Sequence, residues 1–274
     1  MHSTASDGAC APAEVVRRAA GAGLTVIALT DHDTLAGLDE ATEAGEGRGV
    51  RVIPGCEFSV KAGWGEMHLL AYFLPPDDPT VTGFLADQRE KRRIRASRMV
   101  EALGRLGVHV TVDEVLTEAG GGAVGRPHVA RVLVRRGHAD DVPAAFRHYI
   151  GWRRPAFVPK DLPPLEEVTA LVAAAGGVSS AAHLGDRATG RSIRRLGRQG
   201  VDGIEARHPL HQPDRAEEIA RLTAEAGMLC TGGTDWHGDP TGEPNRAPLG
   251  SIVVPAAWLD ALESLHRQRT DGGT

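Results

Sequence analysis

The stretch Ile27-Ala28-Leu29-Thr30-Asp31-His32-Asp33-Thr34 decides the fold, because an apolar run ends there in two carboxylates around a histidine. The run from Val26 to Leu29 is typical of a strand that is buried on both faces, as the strands of parallel sheets are. Polar residues that directly follow such a strand lie at the edge of the sheet where α/β proteins carry their sites. The stretch therefore predicts an α/β fold with a functional site at this edge.

Four more apolar runs carry acidic residues or histidines at one end. These side chains are Glu57, His68, His183, Asp235 and His237. Imidazole and carboxylate ligands without thiolate suit Mn²⁺, Fe²⁺ or Zn²⁺, and several carboxylates offset the charge of clustered dications. Any one of these residues could have a purely structural role, but unrelated structural causes do not place metal-competent side chains at nearly every strand end. The joint pattern predicts a site for several divalent metal ions.

Alternating strand and helix patterns before residue 75 and after Pro163 predict a parallel sheet that ends with a strand at residues 251–254. Site residues at many strand ends favour a closed barrel over an open sheet. The alternation stops at the breaker cluster Pro75-Pro76-Asp77-Asp78-Pro79, and the residues up to Lys160 have helical patterns. We assign residues 1–74 and 161–274 to a barrel that carries the metal site, and residues 75–160 to a helical insertion that contributes substrate contacts.

The composition excludes several classes of protein. The 274 residues, 41% of them hydrophobic, have no run near the roughly 18 apolar residues of a membrane-spanning helix and no signal-peptide pattern at Met1. We expect a cytoplasmic protein without membrane contact. The net charge of −5 argues against a stable complex with nucleic acid. The basic run from Arg89 to Arg98 is interpreted as a solvated helix face, with an RNA track as the alternative.

Several short motifs together resemble those of the polymerase and histidinol phosphatase (PHP) family. In chain order they are His2-Ser3-Thr4-Ala5-Ser6-Asp7-Gly8, Thr30-Asp31-His32-Asp33, Pro54-Gly55-Cys56-Glu57, His68 with its strand, Ala182-His183, Glu205-Ala206-Arg207-His208-Pro209 and Thr234-Asp235-Trp236-His237. Two further motifs look like the branch that hydrolyses nucleoside monophosphates, 3′,5′-nucleoside bisphosphates and short RNA ends; they are Gly125-Arg126-Pro127-His128 and Arg154-Pro155-Ala156-Phe157-Val158-Pro159-Lys160. The resemblance implies a distorted barrel of seven βα units with three metal ions at its C-terminal face, and it favours manganese as the metal.

The family pattern, carried over residue by residue, implies three groups of metal ligands. They are His2, Glu57 and Asp235; Glu57, His68 and His183; and Asp7, His32 and His237. Glu57 would bridge two ions, and Glu57, Asp235 and His237 are expected to carry catalysis. Asp31 and Asp33 are expected to accept hydrogen bonds from the ligand imidazoles and so orient them.

The same resemblance implies substrate contacts from Arg126, His128, Lys160 and His208. The residues themselves leave alternatives open, because Arg126 could begin a surface helix and Lys160 could be solvated. His208 and His211 could line the site or lie in an exposed turn.

The sequence departs from the family pattern at two positions. The family opens with His-x-His, whereas here Met1 occupies the middle position and the first histidine is absent; Leu184 stands where the family has proline. We expect the metal bound by His2 to be the weakest held of the three. The sequence leaves open whether the start codon lies upstream.

These observations favour a metal-dependent phosphoesterase that acts on small nucleotides. Its expected substrates are AMP, 3′,5′-nucleoside bisphosphates and, as a further class, the 5′ ends of short RNA, attacked by a metal-activated hydroxide. Fe²⁺ and Zn²⁺ are the alternatives to Mn²⁺. The rival interpretations are a histidinol phosphatase and a degenerate metal-binding or RNA-binding protein without catalysis.

Overall fold

The computed structural model describes residues 1–238 and 247–272, which form a mixed α/β structure. Its strands are β1 Val26–Leu29, β2 Arg51–Ala62, β3 Gly65–Tyr72, β4 Val178–Ala181, β5 Gly203–Arg207 and β6 Leu229–Gly232. Its helices are α1 Pro12–Gly21, α2 Leu38–Glu46, α3 Pro79–Arg105, α4 Val112–Glu118, α5 Arg126–Arg135, α6 Val142–Ala145, α7 Leu165–Ala174, α8 Gly190–Arg198, α9 Pro213–Glu225 and α10 Ala256–Asp271. A π-helical turn, Phe146–Ile150, follows α6 directly, and a short 3₁₀ helix, Gly185–Arg187, precedes α8.

The strands form one curled six-stranded sheet in the order β1-β2-β3-β4-β5-β6, which resembles half of a barrel. The predicted all-parallel sheet is wrong for β3, which runs antiparallel to both β2 and β4. Only Gly63 and Trp64 separate β2 from β3. A connection this short makes a hairpin, because parallel neighbours need a crossover of a dozen or more residues.

The strand predicted at residues 251–254 does not form, so a complete barrel of seven βα units is not present in the described residues. The backbone of this segment uses a different partner: the carbonyl of Val253 accepts a hydrogen bond of 2.6 Å from the Arg207 side chain. Such a bond satisfies the carbonyl without a neighbouring strand.

Residues 1 and 2 lie between the end of β1 and the segment after β6. Thr30 N–H donates to the carbonyl of Met1 at 3.0 Å, and His2 N–H donates to the carbonyl of Trp236 at 2.8 Å, both ordinary lengths for backbone hydrogen bonds. These two bonds bring the ends of the first and last strands of the sheet to the same place. They position His2 among residues that are far away in sequence.

Helices α3 to α6 share an apolar cluster, to which Met99, Leu103 and Leu133 belong. Helix α3 also packs against the cluster beneath the sheet through Val81 and Leu85. One helix thus contacts both clusters, and the division of the chain at residues 75 and 160 stays a prediction. Within the described ranges no helix is long and apolar enough to cross a membrane.

Candidate metal centre

Glu57 is the point at which the predicted metal ligands meet. Its side chain is only 2% exposed. Oε1 lies 2.7 Å from Nδ1 of His68 and 3.3 Å from Nε2 of His183, while Oε2 lies 2.9 Å from Nε2 of His2 and 3.7 Å from Nδ1 of His32. Both oxygens of one carboxylate therefore face imidazoles from four separate segments of the chain.

The position of Glu57 follows from the alternation of side chains along β2. Cys56 and Phe58 point into the apolar cluster behind the sheet, so Glu57 and Ser59 point to the opposite face. The prediction that Glu57 ends a strand is wrong, because β2 continues to Ala62. The extension pairs with β3 and places His68 opposite Ser59, on the same face as Glu57.

Backbone hydrogen bonds hold His32 beside Glu57. Glu57 N–H donates to the carbonyl of Asp31, and Asp33 N–H donates to the carbonyl of Glu57, both at 3.1 Å. The parallel pairing of β1 with β2 thus continues past Leu29. As a result, the imidazole of His32 lies in the site, beside the carboxylate of Glu57.

A second group of donors surrounds Asp7. Nε2 of His237 lies 3.3 Å from Oδ1 of Asp7, and the rings of His2 and His237 stack with centroids 4.0 Å apart. His237 donates its Nδ1–H to the carbonyl of Asp235 at 2.7 Å, because a carbonyl can only accept. The lone pair of its Nε2 is therefore free to bind a cation.

The prediction that Asp31 and Asp33 accept hydrogen bonds from the ligand imidazoles is wrong. Each carboxylate instead holds a neighbouring segment of the chain. Asp31 accepts hydrogen bonds from Ser3 N–H at 2.7 Å and from the Ser6 hydroxyl at 2.6 Å. Asp33 accepts from Ser59 N–H at 3.1 Å and from Arg92 at 2.6 Å. Asp31 reaches His2 only through Ser6, whose Oγ lies 3.4 Å from Nδ1.

Three site residues other than glycine have backbone conformations in the left-handed region: Asp33, His183 and Asp235 have φ angles of 50°, 31° and 46°. Such conformations cost free energy and cluster at functional sites. At His183 the backbone N–H donates to Glu205 at 2.8 Å, which holds the strained residue in place. Glu205 is a positioning residue that the sequence analysis missed, although it is part of a quoted motif.

The donor atoms fall into three groups in which all ligand atoms lie within 4.8 Å of one another. They are His2, Glu57 and Asp235; His32, Glu57 and His68; and His2, Asp7, His32 and His237. Nε2 of His2 and Nδ1 of His32 are buried and have no hydrogen-bond partner among the described residues. Unpaired buried nitrogens facing several carboxylates suit divalent cations. The grouping differs from the predicted one in two ways: His32 takes the place of His183 beside Glu57 and His68, and His2 joins Asp7, His32 and His237.

The charges in the site fit cation binding. Burial strongly opposes ionisation of Glu57, but the charge of the nearby His68 and a hydrogen bond with His183 hold its pKa well below its usual range. Burial lowers the pKa of His32 to about 3, so this imidazole is neutral and can act as a ligand. Burial also disfavours the imidazolium of His2, but the carboxylates of Asp235 and Glu57, at 3.0 and 2.9 Å from Nε2, raise its pKa to about 10. A proton on His2 thus stabilises two carboxylates where a metal ion would otherwise do so.

Among the predicted substrate residues, Lys160 contacts the two strands that carry Glu57 and His68. Lys160 Nζ lies 2.5 Å from Glu66 and 2.9 Å from Ser59 Oγ, and Glu66 lies 3.5 Å from His68. The lysine is therefore next to the metal centre on the β2–β3 side. Ser59 and Glu66, which the sequence analysis did not single out, occupy the same face as Glu57 and His68.

His128 and His208 are both buried, with 2% and 3% exposure. His128 accepts a hydrogen bond from Gly125 N–H at 2.9 Å, which favours a role in positioning α5 over the predicted substrate contact. His208 accepts from Leu210 N–H at 3.1 Å, so its proton is on Nε2, 3.9 Å from Oδ2 of Asp235. This N–H has no hydrogen-bond partner in the described part of the chain and points towards the site.

The basic run of α3 is not a uniformly solvated face. Arg92 and Arg95 are 9% and 7% exposed, and Arg95 donates to the carbonyl of Val158 at 2.8 Å. Arg93, in contrast, is exposed. The buried arginines are aligned with apolar residues of α3, and this helical spacing was the signal that could have identified them.

The comparisons with known proteins agree with this site. Residues 1–99 match the PHP domain family. The chain is 34% identical to a 5′–3′ exoribonuclease of Haemophilus influenzae, over 86% of this chain and 88% of the relative. It is 33% identical to a 3′,5′-nucleoside bisphosphate phosphatase of Chromobacterium violaceum, over 86% and 85% of the two chains.

A solved structure from Bifidobacterium adolescentis, assigned as a metal-dependent phosphoesterase, superposes with a TM-score of 0.85 at 33% identity, covering 96% of this chain and 94% of the other. Identity above 30% over most of both chains, together with the shared fold, is far more than one short motif would provide. The chain belongs to the PHP family of metal-dependent phosphoesterases and is a hydrolase of phosphoric ester bonds.

Proposed function

We propose that this protein hydrolyses phosphate esters of small nucleotides: AMP, 3′,5′-nucleoside bisphosphates and the 5′ ends of short RNA. The observation that carries the proposal is the convergence of imidazoles and carboxylates around Glu57. The nucleotide class is supported by the names of two relatives, an exoribonuclease and a nucleoside bisphosphate phosphatase. It is also supported by two cations that interact with Glu66, a neighbour of His68: Lys160 pairs with it directly, and Arg126 feels its charge.

The proposed cofactors are three divalent cations, with Mn²⁺ preferred. Their ligands would be His2, Asp7, His32, Glu57, His68, His183, Asp235 and His237. When bound, such ions supply hydroxide at neutral pH and neutralise charge on the phosphoryl group. The residues present fit this role, because neutral imidazole nitrogens and carboxylates are the ligands that these ions accept.

Two further residues have proposed tasks in the reaction. His208 presents its Nε2–H beside Asp235, where it would donate to a phosphoryl or leaving-group oxygen. Lys160 would exchange its contact with Glu66 for a substrate phosphate, since both are anions. His128 would act indirectly, by fixing the start of the helix that carries Arg126.

A substrate panel tests the proposal. Purified protein with Mn²⁺ would be assayed for phosphate release from AMP, adenosine 3′,5′-bisphosphate and histidinol phosphate, and for mononucleotide release from a 5′-phosphorylated oligoribonucleotide. We expect kcat/KM to be highest for one of the nucleotides. A preference for histidinol phosphate would support the rival phosphatase, and metal binding without turnover of any substrate would support a non-catalytic protein.

A further inference from the structure

Trp152 is unusually exposed for its size. Its side chain is 70% accessible, the largest fraction among the exposed aromatic residues described. Another tryptophan, Trp236, is only 2% exposed. Large exposed aromatic surfaces are costly in water and mark binding sites more often than solitary small apolar residues do.

The exposure of Trp152 results from an ordered loop. Gly151 N–H donates to the carbonyl of Phe146 at 2.9 Å, and Ala156 N–H donates to the carbonyl of Tyr149 at 2.9 Å. A side chain on Gly151 would collide with the Phe146 carbonyl, so the loop can approach the π-helical turn only with glycine there. The buried Ala156 anchors the other end. Trp152 is thus held away from the core by the hydrogen bonds of its own loop.

Trp152 forms one surface with Phe157, which we call the aromatic platform. The two rings meet edge to face with centroids 5.1 Å apart. Residues 151–160 contain Arg153, Arg154 and Lys160 and no acidic residue. The guanidinium of Arg153 lies 5.9 Å from the Trp152 ring centroid. An exposed aromatic face among cations is complementary to a base with its phosphate.

Arg126 connects the aromatic platform with the metal centre. Its guanidinium lies 5.4 Å from the Phe146 ring and 5.8 Å from the Phe157 ring. It has no hydrogen bond or ion pair within residues 1–238 and 247–272, so its donors are available. Burial lowers its pKa, which the charge of Glu66 partly offsets. Glu66 in turn contacts Lys160 and His68.

We propose that the aromatic platform binds a base of a single-stranded oligonucleotide whose 5′ end lies at the metal centre. This inference rests on the proposed function and makes it more specific. The base stacks on Trp152, and Arg126 binds the phosphate between the platform and Lys160. A polynucleotide strand can reach both places, whereas a mononucleotide at the metals leaves the platform empty. The strand is then bound by contacts in this one part of the surface, and binding does not need a basic surface over the whole protein.

Binding without turnover tests the platform directly. A 5′-phosphorylated hexaribonucleotide carrying a fluorophore would be titrated with wild-type protein, Trp152→Ala and Trp152→Phe in excess chelator, with fluorescence anisotropy as the readout. Loss of one base–aromatic stack weakens binding about 5- to 150-fold. We expect a loss in this range for Trp152→Ala and a smaller loss for Trp152→Phe, which keeps an aromatic face. Leu106→Ala, which removes an exposed apolar side chain at the end of α3, is the matched control and should bind as wild type does.

Kinetics with Mn²⁺ separate this inference from the proposed function. In Trp152→Ala the ratio of kcat/KM for the hexanucleotide to that for AMP should fall by a similar factor. Unchanged hexanucleotide binding in Trp152→Ala, or equal losses on the two substrates, would overturn the platform and leave the proposed function standing. If the wild-type protein turns over no nucleotide, the proposed function fails, and the anisotropy titration still decides whether the platform binds the strand.

Discussion

His2 and His183 carry protons in the site in the absence of metal. Burial lowers the pKa of each imidazole, but contacts with carboxylates outweigh it, and the pKa rises to about 10 for His2 and about 9 for His183. Both values exceed the ordinary 6.5, so the folded protein binds these protons more tightly than the unfolded chain does. The two protons therefore stabilise the fold below pH 6.5, and this contribution is lost as the pH rises through 9 to 10.

The melting temperature of chelator-treated protein should accordingly fall between pH 7 and pH 10. Differential scanning calorimetry in chelator would record it. The fall should be shallower in His183→Gln, which cannot take up one of the protons. Protein loaded with Mn²⁺ should not follow the same curve, because a cation replaces the protons. A constant or rising melting temperature of the chelated protein over this interval would contradict the assignment.

Arg126 is expected to discriminate between substrates. Its guanidinium lies beside the rings of Phe146 and Phe157, so we expect it to contact a second phosphate and not the one being hydrolysed. Arg126→Ala should raise KM for adenosine 3′,5′-bisphosphate by about 10- to 150-fold more than KM for AMP, as the loss of a charge-assisted hydrogen bond of about 1.5–3 kcal/mol predicts. Steady-state kinetics on both substrates would measure this, with the exposed Arg98→Ala as control. Equal effects on the two substrates would place Arg126 outside the phosphate site.

At the scale of elements, a buried ion pair fastens α3 to the sheet. Arg92 donates to Asp33 at 2.6–2.7 Å, and both side chains are less than 10% exposed. Arg92 also lies 3.3 Å from the Ser59 hydroxyl. The pair links the segment after β1, the middle of β2 and the long helix beside the metal centre.

Breaking this pair from one side should be costly. Arg92→Ala leaves the Asp33 carboxylate buried without its cation, and we expect a loss of about 3–5 kcal/mol in the free energy of unfolding. Arg93→Ala, at an exposed position of the same helix, should change it by less than about 0.5 kcal/mol. Urea denaturation would measure both variants. Similar stabilities of the two variants would show that Arg92 does not hold the helix in place.

The sequence predicted most elements, and the errors have physical causes. Helix α3 was expected from its pattern, but Arg92 and Arg95 were assigned to solvent because arginine is rarely buried without a partner. Their partners, Asp33 and the carbonyl of Val158, are distant in sequence and could not be found from helical spacing. The length of β2 was underestimated because Glu57 interrupts its apolar pattern. Glu57 interrupts the pattern because it belongs to the metal centre, where the strand has to present a carboxylate.

At the scale of the whole molecule, the site depends on contacts that spacing alone cannot supply. His2 lies 3.0 Å from Asp235, although more than two hundred residues separate them. The recurrence of acids and histidines along the chain predicted a metal site, and the family resemblance implied which residues would bind the ions, an assignment that stays a prediction. The short distances between the site residues arise because the sheet curls until the ends of β1 and β6 meet at residues 1 and 2. The assumption of a uniform barrel failed at β3 and at residues 251–254, where a short hairpin and a side-chain contact replaced the expected pairing.

We propose that divalent cations bound around Glu57 carry out the hydrolysis of nucleotide phosphates. The most direct measurement is phosphate release from adenosine 3′,5′-bisphosphate as a function of Mn²⁺ bound per chain, starting from chelator-treated protein. We expect no release without metal, an increase as ions bind, and a loss of more than about 100-fold in Glu57→Gln, because even partners of metal ligands are worth about 10–100-fold. The exposed Glu43→Gln is the matched control and should behave as wild type does. Undiminished release from metal-free protein, or normal turnover and metal content in Glu57→Gln, would contradict the account.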